Sequence, residues 1–347
     1  MFARTAFRAA QPLRQQARRS YASGSSAGTP WGKALLLGGG VTMLGLGGYA
    51  YTNTSVPQAK AAASAAAQGE GMSEFLTRSG TSTEGMTPYL KGGEQGWMGL
   101  KLESVEDVTH NTKKFSFSLP DPEMVSGVFT TSAILTKCVP EGGDGKPVIR
   151  PYTPVSPNNA KGHMDLLVKK YEGGPMSTFL HSMTPGQTLD VKGPLPKYWW
   201  SPNKHRHVAM VAGGTGITPM WQLIHEIFAD PQSRTKVTLV LGNIKEEDIL
   251  LKKQLQDLEN LFPRQFRVFY TLDDPPEGWK GEKGHVTSEL LKQVFPEPKE
   301  DNIKLFVCGP PGMMKAVSGP KKSPKDQGEL SGILKELGYG QDQVYKF

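Results

Sequence analysis

The sequence predicts two folded domains, a small antiparallel β-barrel followed by a Rossmann-like α/β domain, after an N-terminal presequence and one transmembrane helix. Residues 95–200 contain short β-forming segments between turn residues, which is typical of a barrel. Residues 204–347 alternate strand and helix patterns, as a parallel sheet requires. Residues 1–51 combine a basic leader with an uncharged apolar stretch, and residues 52–94 are expected to form a tether.

Length, charge and cysteine content limit the classes of function. A chain of 347 residues accommodates about two domains with accessory segments. The net charge of +7 does not indicate nucleic-acid binding, because residues 1–69 hold seven basic residues and no acidic ones. Subtracting these seven from 40 leaves 33 basic residues against 33 acidic ones. Two cysteines, Cys138 and Cys308, exclude a disulfide framework and a thiolate zinc site, and we expect no metal site.

Residues 1–30 have the composition of a mitochondrial targeting leader. Five arginines (Arg4, Arg8, Arg14, Arg18 and Arg19) fall on one side of a helical wheel. A disordered basic tail is the alternative.

Residues 31–51 predict a single transmembrane anchor. Eighteen uncharged residues run from Ala34 to Tyr51 behind Trp31, within the ~17–25 residues that a spanning helix needs. Six glycines make the stretch only moderately hydrophobic, so a buried soluble helix is the alternative. An anchor after such a leader indicates the outer mitochondrial membrane, with the folded domains in the cytosol or, alternatively, in the intermembrane space.

In the first domain, β-forming runs between turn residues predict strands over residues 114–118, 132–136, 165–169 and 188–191 and a short helix over 177–183. In the second domain, strands are predicted over 207–212, 237–242, 266–272 and 304–308. Helices are predicted between them, over 219–228, 248–261 and 287–294.

The first of three informative segments is Arg-Pro-Tyr-Thr-Pro-Val-Ser at residues 150–156. The Arg150 guanidinium suits bidentate binding of a pyrophosphate. Tyr152 offers a flat ring, and Thr153 and Ser156 offer short donors for the edge of a flavin ring. The alternative is a surface arginine beside a core aromatic residue.

Two glycine-rich turns predict phosphate sites. Gly173-Gly174 comes just before the predicted helix 177–183, where backbone amides can approach an anion. Residues 213–219, Gly-Gly-Thr-Gly-Ile-Thr-Pro, lie between a predicted strand and a predicted helix. The second turn departs from the full G-x-G-x-x-G pattern, because Pro219 takes the final position.

The strand ends of the second domain carry two further candidates. Asp273 follows the predicted strand 266–272, where a carboxylate can bind the ribose hydroxyls of NADH and repel the 2′-phosphate of NADPH; a turn aspartate is the alternative. Cys308 opens the third segment, residues 308–314 (Cys-Gly-Pro-Pro-Gly-Met-Met). A buried cysteine is usually a small apolar residue, which is the alternative to a role in the site.

With these three segments in this order, residues 95–347 resemble the cytochrome b5 reductase family of the ferredoxin-reductase superfamily, and most of all its membrane-tethered mitochondrial members from fungi. The resemblance implies an FAD-binding barrel, an NADH-binding domain, and roles for particular residues. The implied FAD contacts are Arg150, Tyr152, Thr153, Ser156, Val168, Lys169, Tyr171, Gly174, Met176 and Ser177. The implied nucleotide contacts are Gly213, Gly214, Thr215, Gly216, Thr218, Pro219, Asp273, Cys308, Gly309, Pro310 and Met313. Cys308, Thr153 and Lys169 are the expected catalytic residues, and Pro175 departs from the lysine of many animal members.

The resemblance also implies the reaction, in which a hydride passes from NADH to FAD and single electrons pass to cytochrome b5, an acidic haem protein. The alternatives are an NAD(P)H-dependent quinone or iron reductase and a non-catalytic, membrane-tethered adaptor. We expect a monomer. A rim of lysines would steer the acidic partner, with ordinary solvated lysines as the alternative; the rim comprises Lys113, Lys114, Lys161, Lys169 and Lys170.

Overall fold

The computed structural model describes residues 83–140 and 145–347. The predicted leader, the predicted anchor and the tether up to residue 82 lie outside these residues. Within residues 83–140 and 145–347, none of the helices combines the length and the apolar character needed to cross a membrane.

The first lobe is a six-stranded antiparallel sheet with one helix. Its strands are β1 (Met98–Thr109), β2 (Thr112–Ser118), β3 (Ser132–Cys138), β4 (Val148–Tyr152), β5 (His163–Lys169) and β6 (Thr188–Pro196), and its helix is α1 (Pro175–Ser182). The strand order is β4-β3-β6-β1-β2-β5. The chain beyond β4 returns to β5 at the opposite edge, where Val155 N donates to Asp165 O over 2.9 Å. The sheet is therefore barrel-like, as predicted.

The second lobe is a six-stranded parallel sheet. Its strands are β7 (His207–Gly213), β8 (Lys236–Asn243), β9 (Phe266–Leu272), β10 (Glu282–Lys283), β11 (Ile303–Cys308) and β12 (Val344–Lys346), in the order β10-β9-β8-β7-β11-β12. Its helices are α2 (Ile217–Ala229), α3 (Lys252–Leu261), α4 (Ser288–Val294), α5 (Pro311–Val317) and α6 (Gly332–Glu336). Residues 208–213 of β7 are all buried, because a parallel sheet is covered on both faces.

Helix α2 joins the two lobes. Every residue of α2 except Glu226 is buried, since the helix lies between the parallel sheet and the barrel. Ser132 N donates to Gln222 Oε1 over 3.1 Å, and Thr130 Oγ1 donates to Glu226 Oε2 over 2.8 Å. These bonds tie the start of β3 to the second lobe.

The predicted strands and helices of both lobes are present, and the structure differs from the prediction at several places. The helix expected over residues 248–261 begins only at Lys252, because Leu251 has a positive φ of 58° and such a backbone interrupts a right-handed helix. Strand β4, which contains residues 150–152, has no counterpart among the predicted strands; Pro151 is tolerated there because β4 is an edge strand. Strand β1, which carries several charged residues, has no counterpart among the predicted strands.

The tether predicted for residues 52–94 ends earlier than expected. Tyr89 N and Leu90 N donate to Val125 O and Ser126 O over 2.9 and 3.0 Å. The Leu90 side chain is 2% exposed within the barrel core. Burial of this apolar side chain makes residues 87–90 part of the first lobe.

Candidate functional site

The segment 150–156 lies at the barrel edge, where β4 ends. Arg150 is exposed. Within the described residues, its guanidinium donates to the Ile149 carbonyl over 2.8 Å and meets no carboxylate. An exposed guanidinium without a carboxylate partner can bind a phosphate group. This geometry supports the pyrophosphate role predicted for Arg150 over a surface ion pair.

Tyr152, Thr153 and Ser156 follow Arg150 around the edge. Tyr152 is half-buried against the barrel core, and burial is the main cause that raises the pKa of its hydroxyl to about 12. The phenol therefore stays neutral and can act as a hydrogen-bond donor at physiological pH. Thr153 is half-buried at the end of β4. The Ser156 hydroxyl accepts from Asp165 N over 3.0 Å, so it also holds the edge of β5.

The first glycine turn leads into α1. Gly173 has a positive φ of 68°, and a Cβ on Gly174 would lie 2.7 Å from Ser177 Oγ. The Ser177 hydroxyl accepts from Tyr171 N over 3.1 Å and donates to Gly174 O over 3.0 Å. It therefore shapes the turn, and the first amides of the helix remain for an anion. Pro175, at the first position of the helix, contributes no amide hydrogen.

Two apolar side chains among the predicted FAD contacts are buried. Val168 is 1% exposed and Met176 is 2% exposed, and both pack in the barrel core. Their side chains therefore support the site from behind and do not face the cleft. By contrast, Tyr171 is 52% exposed. A cavity of about 420 Å³ opens beside this residue and Gly173.

The second and third segments are in direct contact. A Cβ on Gly213 would lie 2.8 Å from the Met313 side chain and from Pro310 Cδ. A Cβ on Gly216 would lie 2.2 Å from the carbonyl oxygen of Cys308. Only glycine permits this approach, so the glycine turn and residues 308–313 form one surface at the carboxyl ends of β7 and β11.

The glycine turn also provides a helix N-terminus. Gly214–Gly216 form a 3-10 turn that leads into the thirteen-residue helix α2. Thr218 Oγ1 donates to Thr215 O over 3.1 Å. The hydroxyls of Tyr171 and Thr215 lie 3.0 Å apart, which brings the turn after β5 next to the nucleotide turn. Trp221 Nε1 of α2 donates to Val155 O over 3.3 Å, so the first segment contacts the helix that follows the glycine turn. The three predicted segments therefore lie along the boundary between the lobes.

Cys308 lies at the end of β11, partly buried against the second lobe's core. Burial raises the pKa of its thiol to about 12, although the Lys321 ammonium acts in the opposite direction. The thiol is therefore protonated at physiological pH. This state fits a group that shapes the pocket and excludes a thiolate nucleophile.

Asp273 directly follows β9, at the same edge of the sheet. Its amide donates to Asn243 O over 3.1 Å, and its carboxylate Oδ1 lies 3.6 Å from His285 Nε2. The carboxylate is 43% exposed. It is thus available to a ribose, as the prediction requires.

The predicted lysine rim carries less free positive charge than the sequence suggests. Four of its five lysines form ion pairs: Lys113 with Asp107, Lys114 with Glu106, Lys161 with Glu123 and Lys169 with Asp248. Long-range attraction of an acidic partner depends on the net charge of the surface. These ion pairs therefore reduce the attraction that the lysine rim can exert.

Asp248 and Asn111 form a contact between the lobes, near the end of β5, that the sequence did not indicate. Asp248 receives hydrogen bonds from Lys169 and Asn111 of the barrel over 3.2 and 3.3 Å. The signal available was weak: a single aspartate after β8, and an asparagine in the turn between β1 and β2. Neither residue lies in one of the three segments.

The residues of the cleft fit an FAD molecule together with a nicotinamide nucleotide. Arg150 and the amides of the Gly173-Gly174 turn suit the pyrophosphate, and the half-buried Tyr152 suits a flat ring. The Gly213–Gly216 turn provides a second anion site beside a protonated thiol. Two separate phosphate-binding turns are what two dinucleotides need.

The comparisons with known proteins agree with this division. The family profile described as oxidoreductase FAD-binding domain matches residues 99–200, and that described as oxidoreductase NAD-binding domain matches residues 210–319. A protein of Emericella nidulans named NADH-cytochrome b5 reductase 2 is 55% identical over 350 residues and covers 100% of both chains. The protein of the same name from Chaetomium globosum is 66% identical over 266 residues, which are 77% of this chain and 76% of its own.

Solved structures give the same result. The cytochrome b5 reductase domain of Ulva prolifera nitrate reductase matches with a TM-score of 0.67 at 28% identity, over 75% of this chain and 100% of that domain. The CS-b5R domains of human Ncb5or, in the NAD+ form, match with a TM-score of 0.60 at 25% identity, over 73% of this chain and 70% of theirs. The chain belongs to the NADH-cytochrome b5 reductase family of FAD- and NAD-binding oxidoreductases.

Proposed function

We propose that the chain is an FAD-dependent NADH-cytochrome b5 reductase. The observation that carries the proposal is the placement of the three segments, headed by Arg150, Gly213 and Cys308, along the boundary between the lobes of a chain that belongs to this family. When bound, FAD accepts a hydride from NADH and passes electrons singly to a haem protein. The remaining catalytic work is orientation and electrostatics by the chain's own residues.

The barrel would hold FAD along the edge of β4. Arg150 and the turn before α1 neutralise the pyrophosphate charge, while Tyr152 and Thr153 orient the ring with neutral hydroxyls. The exposed ring of Tyr171 flanks the same cleft. These groups supply no proton to the reaction centre; they fix the orientation of the cofactor.

The second lobe would hold NADH along the carboxyl ends of its strands. The glycine turn and the start of α2 bind phosphate, and Asp273 binds the ribose hydroxyls. Because a carboxylate repels the 2′-phosphate, NADH is favoured over NADPH. The Cys308 thiol, neutral and partly buried, provides a close-fitting wall for the nicotinamide and excludes water.

We place the protein at the outer mitochondrial membrane, attached by one anchor over residues 31–51, with the catalytic lobes in the cytosol. The support is the acid-free, arginine-rich leader followed by eighteen uncharged residues. Fractionation of mitochondria with protease treatment of intact organelles would test this. Protection of the catalytic lobes from the protease would favour the intermembrane space.

An anaerobic titration tests the reaction. The purified protein should be yellow, NADH should bleach its visible absorbance at one equivalent, and oxidised cytochrome b5 should restore the colour as its haem is reduced. NADPH, a quinone and ferric chelate serve as comparisons. A colourless protein that does not bind added FAD would support the adaptor alternative. Faster reoxidation of the reduced protein by quinone or iron than by cytochrome b5 would support the other reductases.

A further inference from the structure

An ion pair that crosses between the lobes lies beside the nucleotide cleft. Lys169, the last residue of β5, places its Nζ 3.2 Å from Oδ1 of Asp248. Asp248 lies in the 3-10 turn Glu246–Asp248 that follows β8. The two side chains are 20% and 7% exposed. Removing one partner of a mostly buried pair leaves an uncompensated charge, whereas exposed pairs contribute little.

The Asp248 carboxylate is held in one orientation. Its Oδ2 accepts from Lys245 N over 3.1 Å, and its Oδ1 accepts from Asn111 Nδ2 over 3.3 Å as well as from Lys169. Burial alone would raise the pKa of Asp248, but the hydrogen bonds from Lys245 N, Lys169 and Asn111 outweigh it and lower the pKa. The group is therefore an oriented anion at physiological pH.

Asn111 is itself fixed by the turn between β1 and β2. Its side-chain oxygen accepts from Thr109 Oγ1 over 3.1 Å and from Thr112 Oγ1 over 3.0 Å. With its oxygen held in this way, its nitrogen contacts His110 Nε2 over 2.8 Å and, across the lobes, Asp248 Oδ1 over 3.3 Å. The barrel thus presents two preset donors, an amide and an ammonium, to one carboxylate.

The Lys169 ammonium retains donors for a ligand. An ammonium has three N–H groups, and among the described residues Asp248 is its polar partner. Strand β5 packs against the Gly214–Gly216 turn. Tyr171, two residues beyond Lys169, lies 3.0 Å from the Thr215 hydroxyl of that turn, so the end of β5 that carries Lys169 lies beside the glycine turn.

We infer that Asp248 is a positioning residue for NADH: oriented by Asn111 and by Lys245 N, it holds the Lys169 ammonium beside the glycine turn, where the remaining N–H groups bind an oxygen of the nucleotide. The inference rests on the proposed function, because it requires NADH at the Gly213–Gly216 turn. It adds a residue outside the three segments to the determinants of NADH affinity.

A double-mutant cycle on the flavin-loaded protein tests the inference. The dissociation constant of NAD+ is measured by difference absorbance for the wild type, Asp248→Asn, Lys169→Met and the double variant. We expect each single variant to bind NAD+ about tenfold more weakly and the double variant to bind it no more weakly than Lys169→Met. Such non-additivity arises only if Asp248 acts through Lys169.

Controls separate positioning from general stability. Asp257→Asn removes the partner of Lys253, an ion pair of 2.7 Å on the surface of α3, and should leave NAD+ affinity unchanged. Urea unfolding of every variant checks the fold. If Asp248→Asn does not fold, Asn111→Ala removes one of the two preset donors and should weaken NAD+ binding about threefold.

Two results would overturn the inference. Wild-type NAD+ affinity in Asp248→Asn would do so, and so would losses that add in the double variant. Either result leaves the proposed function intact, provided that the wild type still reduces cytochrome b5 with NADH. A wild type that binds FAD but no NAD+ would overturn the proposed function and the inference together.

Discussion

The Cys308 thiol illustrates how burial selects the role of a single residue. Its raised pKa, about 12, removes the thiolate, and its carbonyl lies against Gly216. The residue can therefore act only through its size and its weak polarity. A serine at this position would be smaller and would require stronger hydrogen bonds in a buried place, at a cost of about 1–3 kcal/mol when they are missing.

We expect Cys308→Ser to lower kcat about tenfold with full FAD content. The substitution removes a side chain that packs against the nicotinamide, whereas the residues that bind FAD and NADH are unchanged. Steady-state kinetics with flavin absorbance measures both quantities. Cys138→Ser, at a buried position on β3, should keep kcat and serves as the control. Equal turnover in the wild type and Cys308→Ser would contradict this role.

Asp273 gives a prediction about cofactor choice. We expect Asp273→Thr to raise kcat/KM for NADPH about tenfold, since the exposed carboxylate that repels the 2′-phosphate is removed. The ratio of kcat/KM for NADH and NADPH is the measurement. Asp274→Thr, one residue further from β9, is the matched control, and an unchanged ratio in Asp273→Thr would reject the assignment.

Sequence alone indicated Arg150, Gly216 and Cys308, because each belongs to a short segment with a chemical reason for its spacing. It did not indicate Asp248 and Asn111. These two residues are 137 positions apart, and their partnership exists only once the lobes are packed together. It also did not indicate that the side chains of Val168 and Met176 are buried, since strand and helix patterns do not show which side of an edge faces the core.

At the scale of elements, the contact between β7, α2 and β11 depends on the absence of a Cβ at Gly216. Gly216 has helical angles, φ −60° and ψ −9°, so alanine is compatible with its backbone. The obstacle is steric, because its Cβ would meet the Cys308 carbonyl at 2.2 Å. Something in the glycine turn or in the third segment must then move.

We expect Gly216→Ala to destabilise the protein by about 1–3 kcal/mol, as overpacking does, and to raise KM for NADH. Gly312→Ala is the control, because a Cβ at Gly312 meets nothing within 4 Å, and alanine favours the helix α5. Urea unfolding and NADH kinetics compare the two variants. Equal stability in both would refute the steric argument.

Element types were predictable where the periodicity was strong. The apolar runs of β7, β8 and β11 indicated buried parallel strands. The start of α3 was not predictable, because the positive φ of Leu251 follows from the packing of the preceding turn. Strand β1 was missed because its charged residues face solvent and dilute the β pattern.

At the scale of the whole molecule, stability depends on pH through His207 at the start of β7. Its Nε2 lies 2.9 Å from Thr238 Oγ1, and burial lowers its pKa from 6.5 to about 4. The unfolded chain therefore binds more protons than the folded one between these two values. Folding stability is present above pH 6.5 and is lost as the pH falls toward 4.

We expect the unfolding free energy of His207→Gln to fall less than that of the wild type between pH 6.5 and 4, by at most about 3 kcal/mol. Urea unfolding at several pH values provides the measurement. His285→Gln, at a 91% exposed side chain, is the control. Parallel curves for the wild type and His207→Gln would show that His207 does not set this dependence.

The two-lobed architecture could be predicted from sequence, because short β-forming segments give way to alternating strands and helices near residue 204. The packing between the lobes could not be predicted in this way. Helix α2 was predicted as a sheet-covering helix. In the structure it also binds the barrel through Gln222 and Glu226. Polar residues on an amphipathic helix are usually solvent-facing, so the contacts that these two make with the barrel become evident only in the assembled molecule.

The parallel strands of the second lobe end in Gly213, Leu272 and Cys308, and the nucleotide-contacting residues begin there or just beyond. Each strand is buried along most of its length, whereas Asp273, like Pro310, stands outside the apolar layers. Substitutions at these two exposed positions can therefore alter the preference for an electron donor and leave the apolar interior of the sheet intact.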